Sequence, residues 1–198
     1  MDKNMRLIYL HGLGGLPTGE KGKQLHNYCQ MFYPNVRVVR PDLNLPPPQV
    51  MNLLGSLMAE PTPAVVMGLS LGGFFALKMH ERYGCPTVLL NPSVHPHQSL
   101  LRFFPQDNPQ PNDVGHTTEG GWQVKWSDIQ WFADNPAPPP QHPERCLLLV
   151  QTGDTRLDYR EAVAHCTGVH QIIEEGGDHR ISNFPEKIPQ LLSFLLPK

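Results

Sequence analysis

The chain has 198 residues, of which 39% are hydrophobic, a length and content that fit one domain with a single core. Its 16 basic and 18 acidic residues give a formal net charge of −2, without the basic excess typical of proteins that bind nucleic acid or anionic membranes. The apolar run at the start covers only residues 7–10, whereas a signal peptide needs roughly 7 to 15 apolar residues and a membrane helix about 20. We therefore expect one domain over residues 1–198, a cytoplasmic location, and neither a nucleic-acid partner nor membrane insertion.

Short runs of β-branched and aliphatic residues recur along the chain, with segments of helical spacing between them. The runs are apolar throughout rather than alternating, as in strands that a parallel sheet buries on both faces. We therefore predict an α/β architecture, with loops at the proline clusters of residues 46–48 and 136–140. The predicted strands cover residues 7–10, 36–39, 64–67, 87–90, 146–150 and 169–173, and the predicted helices residues 21–32, 50–58, 73–83, 159–166 and 185–196.

A glycine-rich loop, residues 11–15, follows the first predicted strand. Dinucleotide binding would need G-x-G-x-x-G and phosphate binding G-x-x-x-x-G-K-[ST], and neither spacing is present. The sequence therefore indicates no nucleotide cofactor. The open backbone of such a loop can instead direct the Leu13 N–H at a negatively charged oxygen. We expect His11 to pack or hydrogen-bond beneath the loop rather than to transfer a proton.

The third predicted strand runs into Gly-Leu-Ser-Leu-Gly, residues 68–72, which matches G-x-S-x-G between a strand and a helix. In that context the pentapeptide forms a sharp turn that strains the serine backbone and exposes its Oγ. Ser70 is therefore the predicted nucleophile, and the alternative is a tight turn without a catalytic role. The Leu71 N–H, at the start of the following helix, would form an oxyanion hole together with Leu13.

One interval, residues 93–143, breaks the alternation of strands and helices because it is rich in Pro, Gln, Asn, His and Trp and has no clean period. We interpret it as an insertion after the fourth strand that covers the edge of the sheet where Ser70 lies. Its aromatic side chains have two open roles, either lining a substrate pocket or anchoring the insertion to the body. These aromatic residues are Phe103, Phe104, Trp122, Trp126, Trp131 and Phe132.

A nucleophilic serine needs an imidazole to accept its proton and a carboxylate to orient that imidazole. Asp154 is the first carboxylate after the fifth predicted strand, and His179 lies in a Gly-Gly-Asp-His loop after the last one. We therefore predict that Ser70, Asp154 and His179 form a catalytic triad. Asp158 is the alternative acid, although its position better suits the N-cap of the next predicted helix.

The sequence contains no motif typical of a metal or redox site. The four cysteines, at positions 29, 85, 146 and 166, form no CxxC pair. The zinc motif H-E-x-x-H begins at His80-Glu81, but Gly84 stands in place of its second histidine. We therefore expect buried free thiols, no bound metal and no cofactor.

Six short motifs along the chain resemble those of a known protein family. They are Tyr9-Leu10-His11-Gly12, residues 68–73, Asn91-Pro92-Ser93-Val94, Gln151-Thr152-Gly153-Asp154, Leu157-Asp158-Tyr159-Arg160, and Glu175-Gly176-Gly177 with His179. In these motifs the chain resembles, over nearly its whole length, the YqiA/YcfP-type esterases, small intracellular bacterial members of the α/β-hydrolase superfamily. The resemblance implies a three-layer α/β/α sandwich with a mainly parallel sheet of about six strands, lacking the superfamily's first antiparallel strands. It places the triad on Ser70, Asp154 and His179. Leu69 departs from the family pattern, which favours a small residue such as serine there.

The function expected from these residues is the hydrolysis of a small-molecule carboxylic ester or acyl thioester through an acyl-enzyme on Ser70. An acyltransferase, or other triad chemistry on the same fold, is one alternative, in which an alcohol or amine replaces water. A non-catalytic binding protein is the other, and the intact nucleophile, acid and base argue against it.

Overall fold

In the computed structural model, which describes residues 4–196, strands and helices alternate along most of the chain. The strands are β1 (Met5–Leu10), β2 (Val36–Val39), β3 (Ala64–Leu69), β4 (Thr87–Leu90), β5 (Val114–Thr117), β6 (Gln123–Lys125), β7 (Cys146–Gln151) and β8 (His170–Glu174). The helices are α1 (Glu20–Phe32), α2 (Pro47–Met58), α3 (Leu71–Tyr83), α4 (Pro96–Ser99), α5 (Trp126–Asp134), α6 (Tyr159–His165) and α7 (Phe184–Leu195).

Six of the strands form one sheet in the order β2-β1-β3-β4-β7-β8, and every neighbouring pair in it is parallel. The central strands β4 and β7 are buried along their whole length. Because helices cover both faces of this sheet, its inner strands need no polar face, which explains their apolar sequences. The predicted α/β fold is therefore confirmed.

The helices form one layer on each face of the sheet. Helices α1 and α7 pack on one face, where Leu25 and Ile188 are buried. Helices α2, α3, α5 and α6 pack on the other, where the rings of Phe74 and Phe132 meet edge-on at 5.2 Å. This arrangement is the predicted three-layer α/β/α sandwich. Among residues 4–196, no helix combines the length and the apolar character that a membrane span requires.

Residues 93–143 hold more regular structure than their sequence indicates. Strands β5 and β6 form an antiparallel hairpin. Helix α5 packs against α2, α4 and β6 before the chain enters β7. Since β4 and β7 are parallel neighbours, the chain between them has to cross the sheet, and α5 is the helix of that crossover. The segment is therefore a crossover connection enlarged by a hairpin, and its extent as a separate insertion stays a prediction.

The prediction of a loop at residues 46–48 is wrong, because Pro47 and Pro48 form the first turn of α2. The first residues of a helix do not need their N–H groups for intrahelical hydrogen bonds. Proline, which lacks that group and has a helical φ, is therefore compatible with this turn.

Candidate active site

Ser70 lies in the turn between β3 and α3, with φ 54° and ψ −119°. A non-glycine residue rarely adopts a positive φ, and such strain is typical of functional sites. The turn is so tight that a Cβ on Gly72 would overlap the Leu10 carbonyl, and one on Gly73 would lie 2.6 Å from Pro92 Cβ. The glycines therefore allow the turn that carries Ser70 to pack against β1 and the end of β4.

The structure brings the three predicted triad residues together. His179 Nε2 lies 3.0 Å from Ser70 Oγ, and His179 Nδ1 lies 2.7 Å from Asp154 Oδ2. Because a carboxylate can only accept, these partners assign the proton to Nδ1 and leave Nε2 free to accept from the serine hydroxyl. The Asp154 side chain is only 1% exposed and that of His179 14%, so this pair is largely shielded from water.

Asp154 remains ionised in this buried position because it accepts several hydrogen bonds. Its Oδ1 accepts from the Arg156 N–H at 2.8 Å and from the Leu157 N–H at 3.0 Å. Burial works to raise the pKa of Asp154, but the hydrogen bonds from His179 and from these two backbone groups outweigh it and hold the pKa below its usual value. Asp154 therefore presents a negative charge to the imidazole.

The alternative acid, Asp158, does not approach His179. It is the N-cap of α6, where its Oδ1 accepts from the Arg160 N–H at 3.0 Å. This is the helix-capping role that the sequence favours for it.

Two buried polar residues that the sequence does not identify as functional hold the His179 loop. Asn91, just after β4, donates from Nδ2 to the carbonyl oxygens of Asp178 and His179 at 3.0 and 3.2 Å. Its Oδ1 accepts from the Gln151 N–H, and Gln151 Oε1 accepts from the Asp178 N–H, each at 2.9 Å. Both are positioning residues. In the sequence, the one sign of this role is that each is a polar residue at the carboxyl end of an apolar strand.

The two predicted oxyanion donors border the same space beside the serine. Leu71 is the first residue of α3, where a helix leaves its N–H groups unpaired. Leu71 and Leu13 line a small cavity of about 20 Å³ together with Ser70 and His179. This placement fits an oxyanion hole formed by the two backbone N–H groups, which stays a prediction.

His11 fixes the loop that carries Leu13. Its Nδ1 donates to the Gly12 carbonyl at 2.9 Å, and its Nε2 accepts from the Leu43 N–H at 3.0 Å. Burial lowers the pKa of His11, which favours the neutral ring that these two hydrogen bonds require. As expected, His11 lies beneath the loop and takes no part in the chain of hydrogen bonds at Ser70.

A cleft of about 810 Å³ opens above Ser70 and His179, between the first loop, the start of α1 and Phe103. Phe103 stacks on His116 with ring centroids 4.5 Å apart and lines this cleft. Phe104 and Trp122 are instead buried in the core. Of the two open roles of the aromatic residues, lining therefore applies to Phe103 and anchoring to most of the others. The remaining predicted aromatics, Trp126, Trp131 and Phe132, also pack in the core cluster.

The structure buries all four cysteines as free thiols. Within the described part of the chain, no group of three His, Cys, Asp or Glu side chains is arranged to hold a metal ion.

Comparison with protein families identifies the relatives of this chain. The family model described as "Uncharacterised protein family (UPF0227)" matches residues 6–196. The chain belongs to this family. One relative of this UPF0227 protein, from Shewanella sp. strain ANA-3, is 30% identical over 201 residues, which cover 96% of this chain and 99% of the relative. Another, from Klebsiella pneumoniae MGH 78578, is 22% identical and covers 95% of this chain and 97% of the relative. The resemblance in the sequence motifs is thereby confirmed.

Solved structures with the same fold include Est1E from Butyrivibrio proteoclasticus, with a TM-score of 0.75 at 13% identity over 99% of this chain and 88% of that one. Mouse alpha/beta hydrolase domain-containing protein 10 has a TM-score of 0.68 at 14% identity, over 98% of this chain and 92% of that one. At such low identity the likeness is one of fold. It confirms the minimal α/β-hydrolase fold of this UPF0227 protein.

Proposed function

We propose that this UPF0227 protein is a serine hydrolase that cleaves carboxylic esters or acyl thioesters. The observation that carries the proposal is the unbroken chain of hydrogen bonds from Ser70 through His179 to the ionised Asp154, at the floor of an open cleft. This arrangement supplies a nucleophile, a base and an orienting carboxylate in the relation that acyl transfer needs. Proteins of the same fold that are named as esterases, such as the esterase domain of a Rhodothermus marinus protein, add support.

In the proposed reaction, Ser70 Oγ attacks the acyl carbonyl while His179 Nε2 accepts the hydroxyl proton. The carbonyl oxygen becomes an oxyanion that the Leu13 and Leu71 N–H groups bind. When the bond to the leaving oxygen or sulfur breaks, His179 returns the proton to that atom, and Ser70 is left acylated. Water then attacks the acyl-enzyme with His179 again as base, which releases the acid and restores the serine. Asp154 stabilises the imidazolium in both steps.

A fluorophosphonate probe tests the proposal without a choice of substrate, because it reacts with an activated serine. The experiment labels the wild type, Ser70→Ala and the control Ser56→Ala, and locates the adduct by peptide mass spectrometry. Ser56 is exposed on α2, so its variant tests whether a distant serine matters. We expect labelling of Ser70 in the wild type and the control and none in Ser70→Ala. Turnover of a nitrophenyl ester should fall by more than about 10³-fold in Ser70→Ala.

Circular dichroism should show that Ser70→Ala remains folded, because the substitution removes one oxygen from the turn. A folded Ser70→Ala that retains most of the wild-type turnover would contradict the proposal.

A further inference from the structure

The cleft beside Ser70 is strongly positive, although the chain as a whole carries a formal net charge of −2. Within the described part of the chain, four cationic side chains line the cleft against a single carboxylate, that of Glu20. The cationic residues are Lys21, Arg102, Arg156 and Arg180. A neutral ester does not need these charges, because backbone N–H groups can bind the oxyanion. The local excess of positive charge therefore points to a property of the substrate.

Two of these cations, Arg102 and Arg156, differ from the others because they line both spaces beside Ser70. Both line the cleft, and both also line the small cavity that contains Ser70, Leu13 and Leu71. Arg102 comes from the segment that covers the sheet edge, whereas Arg156 follows β7. The backbone N–H of Arg156 donates to the triad carboxylate, so its position is tied to that of the triad. Arg102 and Arg156 therefore border the space beside Ser70 from two different loops.

These two arginines lack the carboxylate partners that other arginines of the protein have. Arg6 and Arg37 both pair with Glu60, at 3.1 and 3.0 Å, and Arg160 pairs with Asp158 at 3.0 Å. Over residues 4–196, neither Arg102 nor Arg156 has a carboxylate oxygen within 4.0 Å, so their charges are free to bind an external anion.

The Arg102 side chain is held in place in the absence of a carboxylate. Its guanidinium lies over the Phe103 ring at 4.7 Å and donates to the Ser99 carbonyl. Burial, and then the nearby positive charge of Arg156, lower the pKa of Arg102. Two like charges kept close together repel each other, and a bound anion would relieve that repulsion.

Of the other two cations of the cleft, Lys21 is compensated in part by carboxylates, whereas Arg180 is not among the arginines of residues 4–196 that pair with a carboxylate. Burial lowers the pKa of Lys21, and the negative charges of Asp178 and Glu20 offset part of that effect. Its ammonium also lies 5.6 Å from the centre of the Phe184 ring. The uncompensated charge of the cleft therefore lies on its arginines, and of these Arg102 and Arg156 also line the small cavity beside Ser70.

We propose that Arg102 and Arg156 bind an anionic group of the substrate, a carboxylate or a phosphate, close to the scissile acyl bond. The inference rests on the proposed hydrolase function and adds the class of substrate to it. Guanidinium groups bind carboxylates and phosphates through paired, charge-assisted hydrogen bonds. A substrate that carries such a group gains this interaction, whereas a neutral ester of the same shape leaves both arginines unpaired.

Two pairs of synthetic esters test this inference. In the first pair, the nitrophenyl monoester of adipic acid carries a carboxylate on its acyl chain, and its methyl ester is the neutral counterpart. In the second pair, the butanoyl ester of hydroxyphenyl phosphate carries a phosphate on its leaving group, and the butanoyl ester of methoxyphenol is neutral. We expect kcat/KM to be at least about tenfold higher for the anionic member of one pair, because hydrogen bonds to charged groups are the strong ones. The pair that shows the preference tells whether the two arginines bind a carboxylate or a phosphate.

The variants Arg102→Gln and Arg156→Gln connect this preference to the two arginines. The readout is the ratio of kcat/KM for the anionic ester to that for its neutral counterpart, which is insensitive to the fraction of folded protein. Each substitution should lower the ratio by about tenfold. Arg82→Gln is the control, because Arg82 is exposed at the end of α3 and its loss changes the net charge equally. This control should leave the ratio unchanged.

Equal kcat/KM values within both pairs would overturn the inference, and so would a preference that survives both arginine substitutions. The hydrolase proposal would still stand in either case if the fluorophosphonate probe labels Ser70. Failure to label Ser70, with no turnover of any of the four esters, would overturn the hydrolase proposal and this inference with it.

Discussion

Two loops at the carboxyl edge of the sheet each place a histidine beside the same cleft. His11, after β1, hydrogen-bonds to the backbone on both sides, at the Gly12 carbonyl and the Leu43 N–H. His179, after β8, lies between a carboxylate and a hydroxyl. A backbone amide neither takes up nor releases a proton at neutral pH, whereas an activated serine does. The partners of a histidine, rather than its distance from the cleft, therefore decide whether it can act as a base.

Replacing the carboxylate partner of His179 leaves its Nδ1 with a neutral acceptor, as His11 Nδ1 has in the Gly12 carbonyl. Asp154→Asn supplies a neutral amide, which neither fixes the same tautomer nor stabilises an imidazolium. We expect kcat on a nitrophenyl ester to fall on the order of 10³- to 10⁴-fold. Asp158→Asn is the matched control, because asparagine is an equally good N-cap and Asp158 lies outside the triad. Similar losses in both variants would show that the assignment of the acid is wrong.

The reverse experiment removes the histidine that the backbone holds. His11→Ala leaves the buried Leu43 N–H without its acceptor, so we expect the free energy of unfolding to fall by about 1–3 kcal/mol in urea denaturation. His170→Ala, at an exposed position of β8, should change it by much less. Activity per folded molecule should fall far less for His11→Ala than for Asp154→Asn. A stable but inactive His11→Ala would instead make His11 part of the reaction.

The third prediction concerns pH and has the smallest effect. Burial lowers the pKa of His11 in the folded protein, so the unfolded chain takes up its proton more readily. The contribution of His11 to stability is therefore complete above about pH 6.5, the unfolded value, and is lost as the pH falls below it. Burial also lowers the pKa values of His80, His97 and His165, so these histidines destabilise the folded protein at acidic pH in the same way. His11→Ala should therefore reduce the loss of stability at acidic pH without abolishing it.

Urea denaturation of the wild type and His11→Ala at about pH 7.5 and about pH 5.5 measures how much the free energy of unfolding falls between the two pH values. A single group contributes at most about 1.4 kcal/mol per pH unit to this fall. Asp154 does not interfere, because its lowered pKa affects stability only in more acidic solution. An unchanged pH dependence in His11→Ala would mean that His11 is equally protonated in the folded and unfolded chains.

The six strands of the main sheet could be predicted to within two residues because most of them are apolar runs, although Arg37 interrupts β2 and two polar residues begin β8. Ser70 was equally visible, since its glycines have to stand at fixed positions around the turn. His179 and Asp154 followed from their places after the last strands. The residues of the candidate site could therefore be predicted where the backbone requires one particular residue type at one position, such as a turn or the end of a strand.

Other features depend on contacts between distant parts of the chain. Helix α5 has only nine residues, too few for a clear period, although a parallel crossover requires a helix there. Asn91 supports the His179 loop across 88 residues of sequence, which no local pattern records. Likewise, Arg102 and Arg156 become a pair only when their two loops meet at the cleft. These features could not be predicted from the sequence, because no local pattern relates residues so far apart in the chain.

The order of the strands has a consequence for the protein during its synthesis. His179 follows Ser70 by 109 residues and Asp154 by 25, and it is carried by the loop after the last strand of the sheet. A growing chain on the ribosome therefore exposes the serine long before its base exists. Only when β8 joins β7 can the His179 loop reach the hydroxyl, so under the proposed mechanism the serine becomes a nucleophile only after that pairing. A chain that has not yet formed β8 therefore holds an ordinary serine, and the activated serine that we propose exists only once that strand is in the sheet.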